Sequence, residues 1–245
     1  TMPYVTDSSK RYTFTINWGV RTDTDDADGE VIETSDVRPD RDAIEAALPN
    51  FRGSISQIPP AYSAIKIDGE RAYTKARAGE DVVLEPRTIE IKAFDLIEPT
   101  STEWARFEVE SGKGAYMRAL ARDLAAAVGT CGHLSKLRRV SVGPFAESAS
   151  ISLEMLEKLG HSAAASSILL PVETALDGIP ALALSDREAE RLRNGQAVPV
   201  LRPQDRERMA AAGDNGIVLA LEAATPVALV RVDGIQVRPV RVLNL

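Results

Sequence analysis

The sequence is poor in the side chains that build many enzyme sites. It holds one cysteine, Cys131, and two histidines among 245 residues. One cysteine cannot close an internal disulfide, and no CxxC or Cys/His cluster accompanies it, which argues against a secreted scaffold and a zinc site. Two histidines support no Ser/His/Asp order, and His133 alone favours a structural role. These absences indicate a reducing compartment, and we predict a cytoplasmic protein.

Long apolar runs are also missing. The first nine residues carry no basic stretch followed by an apolar run, and no window approaches the length that crosses a bilayer. We therefore predict no membrane association. The chain opens on Thr1, with Met2 behind it, and soon enters a strand-like pattern. We therefore expect a chain that lacks its N-terminal segment.

The sequence also lacks an excess of positive charge, since its formal net charge is −7. Non-specific nucleic-acid binders usually show a basic excess. An enzyme that reads one folded RNA can instead concentrate lysine and arginine on one face. The hydrophobic fraction of 44% and the charged fraction of 27% are typical of globular proteins. The length suits one substantial core and a small second domain.

Periodicity in the first part of the chain predicts an α+β order. Residues 12–18 alternate between apolar and polar, which predicts a strand with one buried face, and further strands are expected at 88–96 and 104–110. Apolar spacing over 116–128, closed by Gly129, predicts a helix. Shorter signals predict a helix capped by Asp40, renewed alternation at 63–67, a turn at Asp68-Gly69 and a basic helix at 71–78.

The second part of the chain changes character. Residues 150–176 are alanine-rich and helical in pattern, which indicates a connecting layer. Ser185 and Glu188 form a capping box for a helix that ends near Gly195. Three short strand-like runs then predict a small β-barrel. We predict a mixed, mainly antiparallel sheet with flanking helices in 1–150, a helical connecting segment in 151–180 and the barrel domain in 181–245.

The acidic run from Asp23 to Gly29 places carboxylates before a glycine, as calcium loops do. Aligning Gly29 with the loop glycine puts Thr24 at the first ligand position and Ser35 where the bidentate glutamate belongs. The calcium interpretation therefore fails, and we predict no metal. The pattern alone favours a solvated polar turn over a catalytic role.

Gly112-Lys113-Gly114 lies between a predicted strand and a predicted helix, where backbone N–H groups and a lysine could hold a phosphate. The Walker spacing is absent. Tyr116 and Arg118 follow at the helix start, an aromatic ring that can stack on a base and a planar cation that can pair with a carboxylate or phosphate. Basic runs at 71–77 and 133–139 add positive charge, although a solvated helix surface commonly explains such runs.

Five stretches together resemble, in the same order, the bacterial TruB family of tRNA pseudouridine synthases. They are Asp7-Ser8-Ser9-Lys10-Arg11-Tyr12, residues 21–29, Gln57-Ile58-Pro59-Pro60-Ala61-Tyr62-Ser63-Ala64-Ile65-Lys66, Lys113-Gly114-Ala115-Tyr116-Met117-Arg118, and Cys131-Gly132-His133-Leu134 with Leu137-Arg138-Arg139. The C-terminal part is also similar to the small RNA-binding PUA-type domain that these synthases carry.

The resemblance implies a monomeric isomerase that acts on the T stem-loop of tRNA without cofactor or metal. Its target, the uridine at position 55, is flipped out of the stack, at a cost of a few kcal/mol that an aromatic receptor offsets. The bond between uracil N1 and ribose C1′ is broken, and the base is rejoined through C5.

The resemblance also implies roles for individual residues. Tyr12 matches the tyrosine that stacks on the flipped base, and Tyr116 matches a second tyrosine placed for base contact or proton transfer at C5. Leu137 matches a residue that lines the uridine pocket. Arg118 matches the arginine that holds the nucleophilic aspartate ionised and aimed, and Asp26 matches a second acid near the site. The expected phosphate contacts, which position the RNA without specifying sequence, are Lys136, Arg138 and Arg139.

One feature of the family is missing. The nucleophilic aspartate lies in a Gly-x-Leu-Asp-Pro motif shortly before the stretch that begins here at Asp7, and no Leu-Asp-Pro sequence occurs in these residues. Asp23, Asp25 and Asp28 carry the carboxylate that a nucleophile needs, but they do not lie in the family's motif, so we do not expect any of them to replace it. We expect these 245 residues to be inactive alone and to bind tRNA better than they modify it.

Two alternatives stay open. The first is the guide-RNA-directed branch of the same superfamily, although that branch differs from this sequence around 57–66 and depends on protein partners. A non-catalytic protein could instead bind and remodel tRNA through the same groove.

Overall fold

The chain folds into two compact units, Met2–Gly160 and His161–Leu245. The computed structural model describes residues 2–98, 100–160, 168–199, 202, 205 and 216–243. In the first unit the strands are β1 (Lys10–Trp18), β2 (Val20–Thr22), β3 (Val31–Thr34), β4 (Gly53–Gln57), β5 (Lys66–Ile67), β6 (Glu70–Arg71), β7 (Arg87–Ile97), β8 (Trp104–Ser111), β9 (Gly132–Val142) and β10 (Phe145–Ala146), and the helices are α1 (Met2–Asp7), α2 (Arg41–Ala47), α3 (Ala72–Arg77), α4 (Met117–Ala127) and α5 (Leu153–Leu159).

A six-stranded antiparallel sheet, in the order β10-β9-β1-β8-β7-β4, forms the body of the first unit. The alternation predicted for β1 is confirmed, because Phe14, Ile16 and Trp18 are at most 3% exposed. Burying side chains of this size contributes roughly 1.5–3 kcal/mol each. The rings of Phe14, Phe94 and Phe107 pack together across three strands, with centroids 5.4 to 5.8 Å apart. The core therefore lies against one face of the sheet.

Helices α2 and α4 cover that face. The helix predicted at 116–128 is confirmed as α4, which buries Met117, Leu120 and Leu124 against the aromatic cluster. Gly129, two residues beyond the last residue of α4, has a φ of 79°, a conformation that glycine adopts without strain. The chain then enters β9 beside β1. The packing of α4 thus fixes where its N-terminal turn and its outward-facing side chains lie.

Two segments depart from the predictions. The helix capped by Asp40 is confirmed at its start, with Ala43 N–H donating to the Asp40 carboxylate at 2.8 Å. It gives way to a short 3-10 turn at Leu48–Phe51 and then to strand β4, which the apolar spacing did not predict. The renewed alternation at 63–67 yields only the short strand β5. The turn at Asp68-Gly69 and helix α3 are confirmed.

The run 133–139 is a strand, so the interpretation as a solvated helix surface is wrong. It belongs to β9, whose backbone pairs with β1 along most of its length. Only Gly132 and Leu134 are buried in this strand. A polar sequence forms a strand here because the sheet satisfies its backbone hydrogen bonds, whereas its side chains stay partly in water.

The second unit contains β11 (Ala181–Leu184), α6 (Asp186–Arg193), β12 (Val198–Pro199), β13 (Ile217–Glu222), β14 (Thr225–Asp233) and β15 (Gln236–Val242). The capping box of α6 is confirmed, as are the three predicted strands. Together with β11 and β12, these three strands form a five-stranded sheet in the order β11-β13-β14-β15-β12. Residues 161–167 of the predicted connecting layer lie outside the described residues. The three-part domain division stays a prediction.

None of the helices in the described ranges is both long and apolar enough to cross a membrane.

Candidate active site

The N-terminal turn of α4 is held by a buried glutamine from β4. Gln57 is 2% exposed. Its side-chain oxygen accepts from the Tyr116 N–H at 2.9 Å, and its amide group donates to the Tyr116 carbonyl at 3.2 Å. Tyr116 is the N-cap of α4 and has no side-chain cap of its own. Gln57 therefore fixes the residue from which the helix projects Arg118.

This contact changes the interpretation of Gly112-Lys113-Gly114 as a phosphate site. The Tyr116 N–H already has the Gln57 acceptor, and the Lys113 ammonium pairs with Asp7 at 2.9 Å. Two of the donors that the sequence offers to an anion are thus engaged within the protein.

The acidic run forms a tight loop between β2 and β3. The Thr22 hydroxyl donates to the Asp26 carbonyl at 2.6 Å, and the Leu134 N–H donates to the Asp25 carbonyl at 3.1 Å. Asp25 adopts a φ of 61°, an uncommon left-handed conformation for a residue other than glycine. A Cβ on Gly29 would lie 2.3 Å from Asp23 Oδ1 and from Thr24 Oγ1. The loop is therefore packed against itself and against β9, unlike a solvated turn.

Asp26 and Arg118 form an ion pair at the surface of this loop. Arg118 Nη1 donates to Asp26 Oδ2 at 3.1 Å and to the Thr24 carbonyl at 3.0 Å, and Nη2 donates to the Tyr62 carbonyl at 2.7 Å. Asp26 Oδ1 accepts from the Thr24 hydroxyl at 2.6 Å and from the Asp28 N–H at 3.1 Å. The structure thus brings together two residues that the family resemblance selected.

Asp25 and Arg122 form a second, deeper ion pair. Arg122 Nη1 lies 2.9 Å from Asp25 Oδ2, and the two side chains are 17% and 6% exposed. Arg122 also donates to Asp123 at 2.8 Å and to the Ile58 carbonyl at 2.8 Å. Burial raises the pKa of Asp25, and the positive charges of Arg122 and Arg21 oppose that rise. The pair therefore lies where a carboxylate is costly to ionise.

A cleft of about 570 Å³ opens beside the Asp26 and Arg118 pair. Tyr116 and Tyr73 line it, and the Arg77 guanidinium lies 5.6 Å from the centre of the Tyr73 ring. The Tyr62 hydroxyl donates to Asp23 Oδ2 at 3.1 Å, and this hydrogen bond raises the pKa of Tyr62. Aromatic faces and arginines in one cleft suit a base and its phosphates.

The other predicted site residues lie elsewhere. Tyr12 is half-buried against the aromatic core and stands opposite Arg139 in the pairing of β1 with β9. Lys136, Leu137 and Arg138 line a separate groove of about 690 Å³ with Trp104 and Arg106. The described side chains thus split the predicted site into a cleft at α4 and a groove on β9.

The positive charge of that groove is partly neutralised, because Arg138 pairs with Glu147. Leu137 is 50% exposed.

No group of three His, Cys, Asp or Glu side chains within the described ranges is placed to hold a metal ion.

Sequence reasoning missed the contacts of four residues of the site, Gln57, Tyr62, Arg122 and Asp25. Gln57 and Tyr62 belong to a stretch that carries the resemblance, but nothing local predicts their partners 59 residues and 39 residues away. Arg122 follows Arg118 by one helical turn, which is the spacing that places two side chains on one helix face. That spacing was the signal that could have identified Arg122, and Asp25 is the residue with which Arg122 pairs.

Comparison with known proteins gives matches along the chain. The family described as "TruB family pseudouridylate synthase (N terminal domain)" matches residues 1–117, and "tRNA pseudouridylate synthase B C-terminal domain" matches residues 118–177. The chain is 47% identical over 245 residues to a tRNA pseudouridine synthase B of Rhodospirillum rubrum, covering 100% of this chain and 80% of the relative. It is 50% identical over 244 residues to that of Gluconacetobacter diazotrophicus, covering 99% and 80%.

Solved structures support the fold. A Cbf5-Nop10-Gar1 complex matches with a TM-score of 0.67 at 21% identity, covering 98% of this chain and 68% of that chain. An H/ACA RNP bound to a substrate RNA that contains 2′-deoxyuridine matches with a TM-score of 0.66 at 17% identity, covering 99% and 68%. At such identities the likeness concerns the fold alone.

Proposed function

The chain belongs to the TruB family of pseudouridylate synthases, and we propose that it serves as a tRNA pseudouridine synthase whose target uridine lies in the T stem-loop. The reaction is an isomerisation, in which the N1–C1′ bond breaks and a C5–C1′ bond forms. The identity of 47% and 50% to tRNA pseudouridine synthase B relatives supports tRNA as the substrate. We propose that residues 181–245 form an RNA-binding domain of PUA type, joined through a connecting segment at 151–180.

The observation that carries this proposal is the way Arg118 is held. Its described hydrogen bonds are made by Nη1, to Asp26 and to the Thr24 carbonyl, and by Nη2, to the Tyr62 carbonyl. Within the described part of the chain, the Nε–H has no acceptor. Nε and Nη2 lie along one edge of the guanidinium, the edge that binds a carboxylate with two parallel hydrogen bonds. We propose that this edge receives the nucleophilic aspartate.

Asp26 is poorly suited to be the nucleophile itself. Its two oxygens already accept from Arg118, from the Thr24 hydroxyl and from the Asp28 N–H. These three donors hold the carboxylate inside the loop, and it could not approach C1′ without giving up some of them. We propose that Asp26 orients Arg118, and that the reacting carboxylate comes from the family's Gly-x-Leu-Asp-Pro motif, which these 245 residues do not contain.

The cleft beside Arg118 supports base flipping. Tyr116 lies on the lining of the cleft, and Arg77 and Tyr73 lie at the same cleft. We propose Tyr116 for base contact or proton transfer at C5, and Tyr12 for stacking on the flipped base. Lys136, Leu137, Arg138 and Arg139 then bind the RNA along β9, with Leu137 against the uridine and the three cations near phosphates.

Release of tritium from tRNA labelled at uridine C5 tests the proposed function. The enzyme that carries the Leu-Asp-Pro aspartate should release tritium from tRNA without a guide RNA, and a cytidine at the T-loop target should abolish release. The 245 residues alone should bind the same tRNA and release none.

Three outcomes contradict the proposal. Turnover by the 245 residues alone would assign the nucleophile to another aspartate. A requirement for guide RNA would place the chain in the guide-directed branch, and binding without turnover by the aspartate-carrying enzyme would favour a tRNA-binding role.

A further inference from the structure

The Asp25 and Arg122 pair lies close to the proposed catalytic residues but does not line their cleft. Thr24, Asp26, Tyr116 and Arg118 border the cleft, whereas Asp25 and Arg122 do not. A substrate in the cleft would therefore not contact this pair directly. Any effect of the pair on the reaction must act through the residues that it holds.

Arg122 holds the same two segments that Arg118 holds. The two arginines are four positions apart on α4, and each donates to one aspartate of the acidic loop and to one carbonyl of segment 58–62. Arg118 contacts Asp26 and the Tyr62 carbonyl, and Arg122 contacts Asp25 and the Ile58 carbonyl. The inner arginine thus repeats, one helical turn deeper, the arrangement that supports the outer one.

Asp25 transmits this constraint to Asp26 through one peptide bond. Its left-handed backbone turns the chain so that consecutive carboxylates reach different arginines, and its carbonyl accepts from Leu134 on β9. Its carboxylate has Arg122 at 2.9 Å and Arg21 at 3.8 Å. Loss of Arg122 would leave a buried carboxylate with one distant cation, and the loop would have to move to hydrate it.

Stability alone gives little reason for such a pair. Removing two charges from water is costly, and replacing a buried ion pair by well-packed hydrophobic side chains of similar volume is often neutral or stabilising. Burial raises the pKa of Asp25 against the opposing charges of Arg122 and Arg21, so burial acts against the charged carboxylate. A fixed geometry is the property that the pair adds.

We propose that Asp25 and Arg122 are positioning residues for the pseudouridine synthase reaction, whose ion pair holds the acidic loop and segment 58–62 so that the Nε edge of Arg118 is aimed at the reacting carboxylate. This inference rests on the proposed function. It assigns to the pair no contact with RNA and no proton transfer.

The test compares Asp25→Asn, Arg122→Met and the double variant in the enzyme that carries the Leu-Asp-Pro aspartate. Asparagine tolerates the left-handed backbone at this position, and methionine keeps most of the length of arginine. Arg122→Met alone should lower both Tm and kcat, because it leaves Asp25 buried without its partner. The double variant should regain much of the Tm that Arg122→Met loses, because the buried Asp25 charge is gone as well, yet its kcat should stay roughly 10- to 100-fold low with little change in KM for tRNA.

A double variant that regains both Tm and kcat would overturn the inference, because the pair would then be structural only. Arg52→Met is the matched control. Arg52 also donates to one carboxylate, of Asp95, and one carbonyl, of Phe94, and it lies outside the cleft. Its substitution should leave kcat unchanged, and a loss equal to that of the double variant would mean that any arginine of the unit has this effect.

A second readout does not depend on turnover. In the 245 residues alone, the Nε–H NMR signal of Arg118 should shift in the double variant, and the Leu134 amide should exchange faster with solvent. Arg52→Met should change neither. An unchanged Arg118 signal would overturn the positioning role of the pair. Absence of turnover in the wild-type enzyme would instead overturn the proposed function, and the Arg118 signal would still test the positioning role.

Discussion

Asp25 and Asp26 are adjacent in the sequence, yet their carboxylates bind different arginines. Asp25 contacts Arg122 at 2.9 Å in the interior, and Asp26 contacts Arg118 at 3.1 Å beside the cleft. The φ of 61° at Asp25 makes this divergence possible. One short loop thus holds an inner ion pair and an outer one.

Arg118→Ala should lower kcat by about 100-fold or more, while tRNA affinity changes far less. The reason is that Arg118 is proposed to orient a carboxylate and not to bind phosphate. Single-turnover rates and filter binding with the aspartate-carrying enzyme check this, with Arg52→Ala as control. Equal losses in rate and affinity would make Arg118 a phosphate contact.

Tyr12→Ala should abolish most activity while tRNA still binds, and Tyr12→Phe should retain a substantial rate because the ring can still stack. Tyr12 also packs against the aromatic core, so Tm must be measured beside the rate. A near-normal rate for the alanine variant would remove Tyr12 from the base-stacking role.

Gln57→Ala should destabilise the first unit and slow the reaction. It leaves the N–H of Tyr116 without its partner, whereas the Tyr116 carbonyl keeps the Leu120 N–H, and an unsatisfied buried group costs about 1–3 kcal/mol. Gln57→Glu keeps the acceptor but places a carboxylate oxygen against the Tyr116 carbonyl in a buried site, so at neutral pH it should destabilise the unit at least as much as alanine. Urea denaturation measures the loss, and an unchanged midpoint for alanine would show that water replaces both contacts.

The stability of Asp25→Asn relative to wild type should rise with pH. The folded-state pKa of Asp25 lies above the ordinary 3.8 because burial disfavours its charge. A raised pKa means that the folded protein binds a proton which the unfolded chain has released, so the associated stability is present below 3.8 and is lost as pH rises through the folded pKa. Asparagine does not titrate. Unfolding free energies of both proteins from acid to neutral pH give the comparison, and a difference that moves the other way would show that the arginines dominate.

Gly29→Ala should lower Tm and slow the reaction, because its Cβ would lie 2.3 Å from Asp23 Oδ1 and Thr24 Oγ1. Gly112→Ala is the control, since its Cβ would meet Glu90 at an ordinary 3.5 Å. Thermal melts of both variants check the prediction. If Gly29→Ala matches its control, the acidic loop is looser than its hydrogen bonds indicate.

Local patterns in the sequence determined much of the fold. The alternation in β1, the apolar spacing in α4, the turn at Asp68-Gly69 and the capping box at Ser185 depend on neighbours within a few residues, so the chain specifies them directly. The resemblance likewise selected Asp26 and Arg118. Strand β9 was interpreted wrongly because its polar side chains carry no alternation, and its backbone partner lies far away in the chain.

Only the tertiary structure decided which side chains share a site. Gln57 meets Tyr116 across 59 positions, and Arg122 meets Asp25 across 97. Such contacts depend on how α4 packs on the sheet and how β9 holds the acidic loop. Residue type and spacing indicated the chemistry of this protein, because a hydrogen-bonding group keeps its character in any fold. The pairing of consecutive aspartates with two arginines required the fold, because a long-range ion pair leaves no period in the sequence.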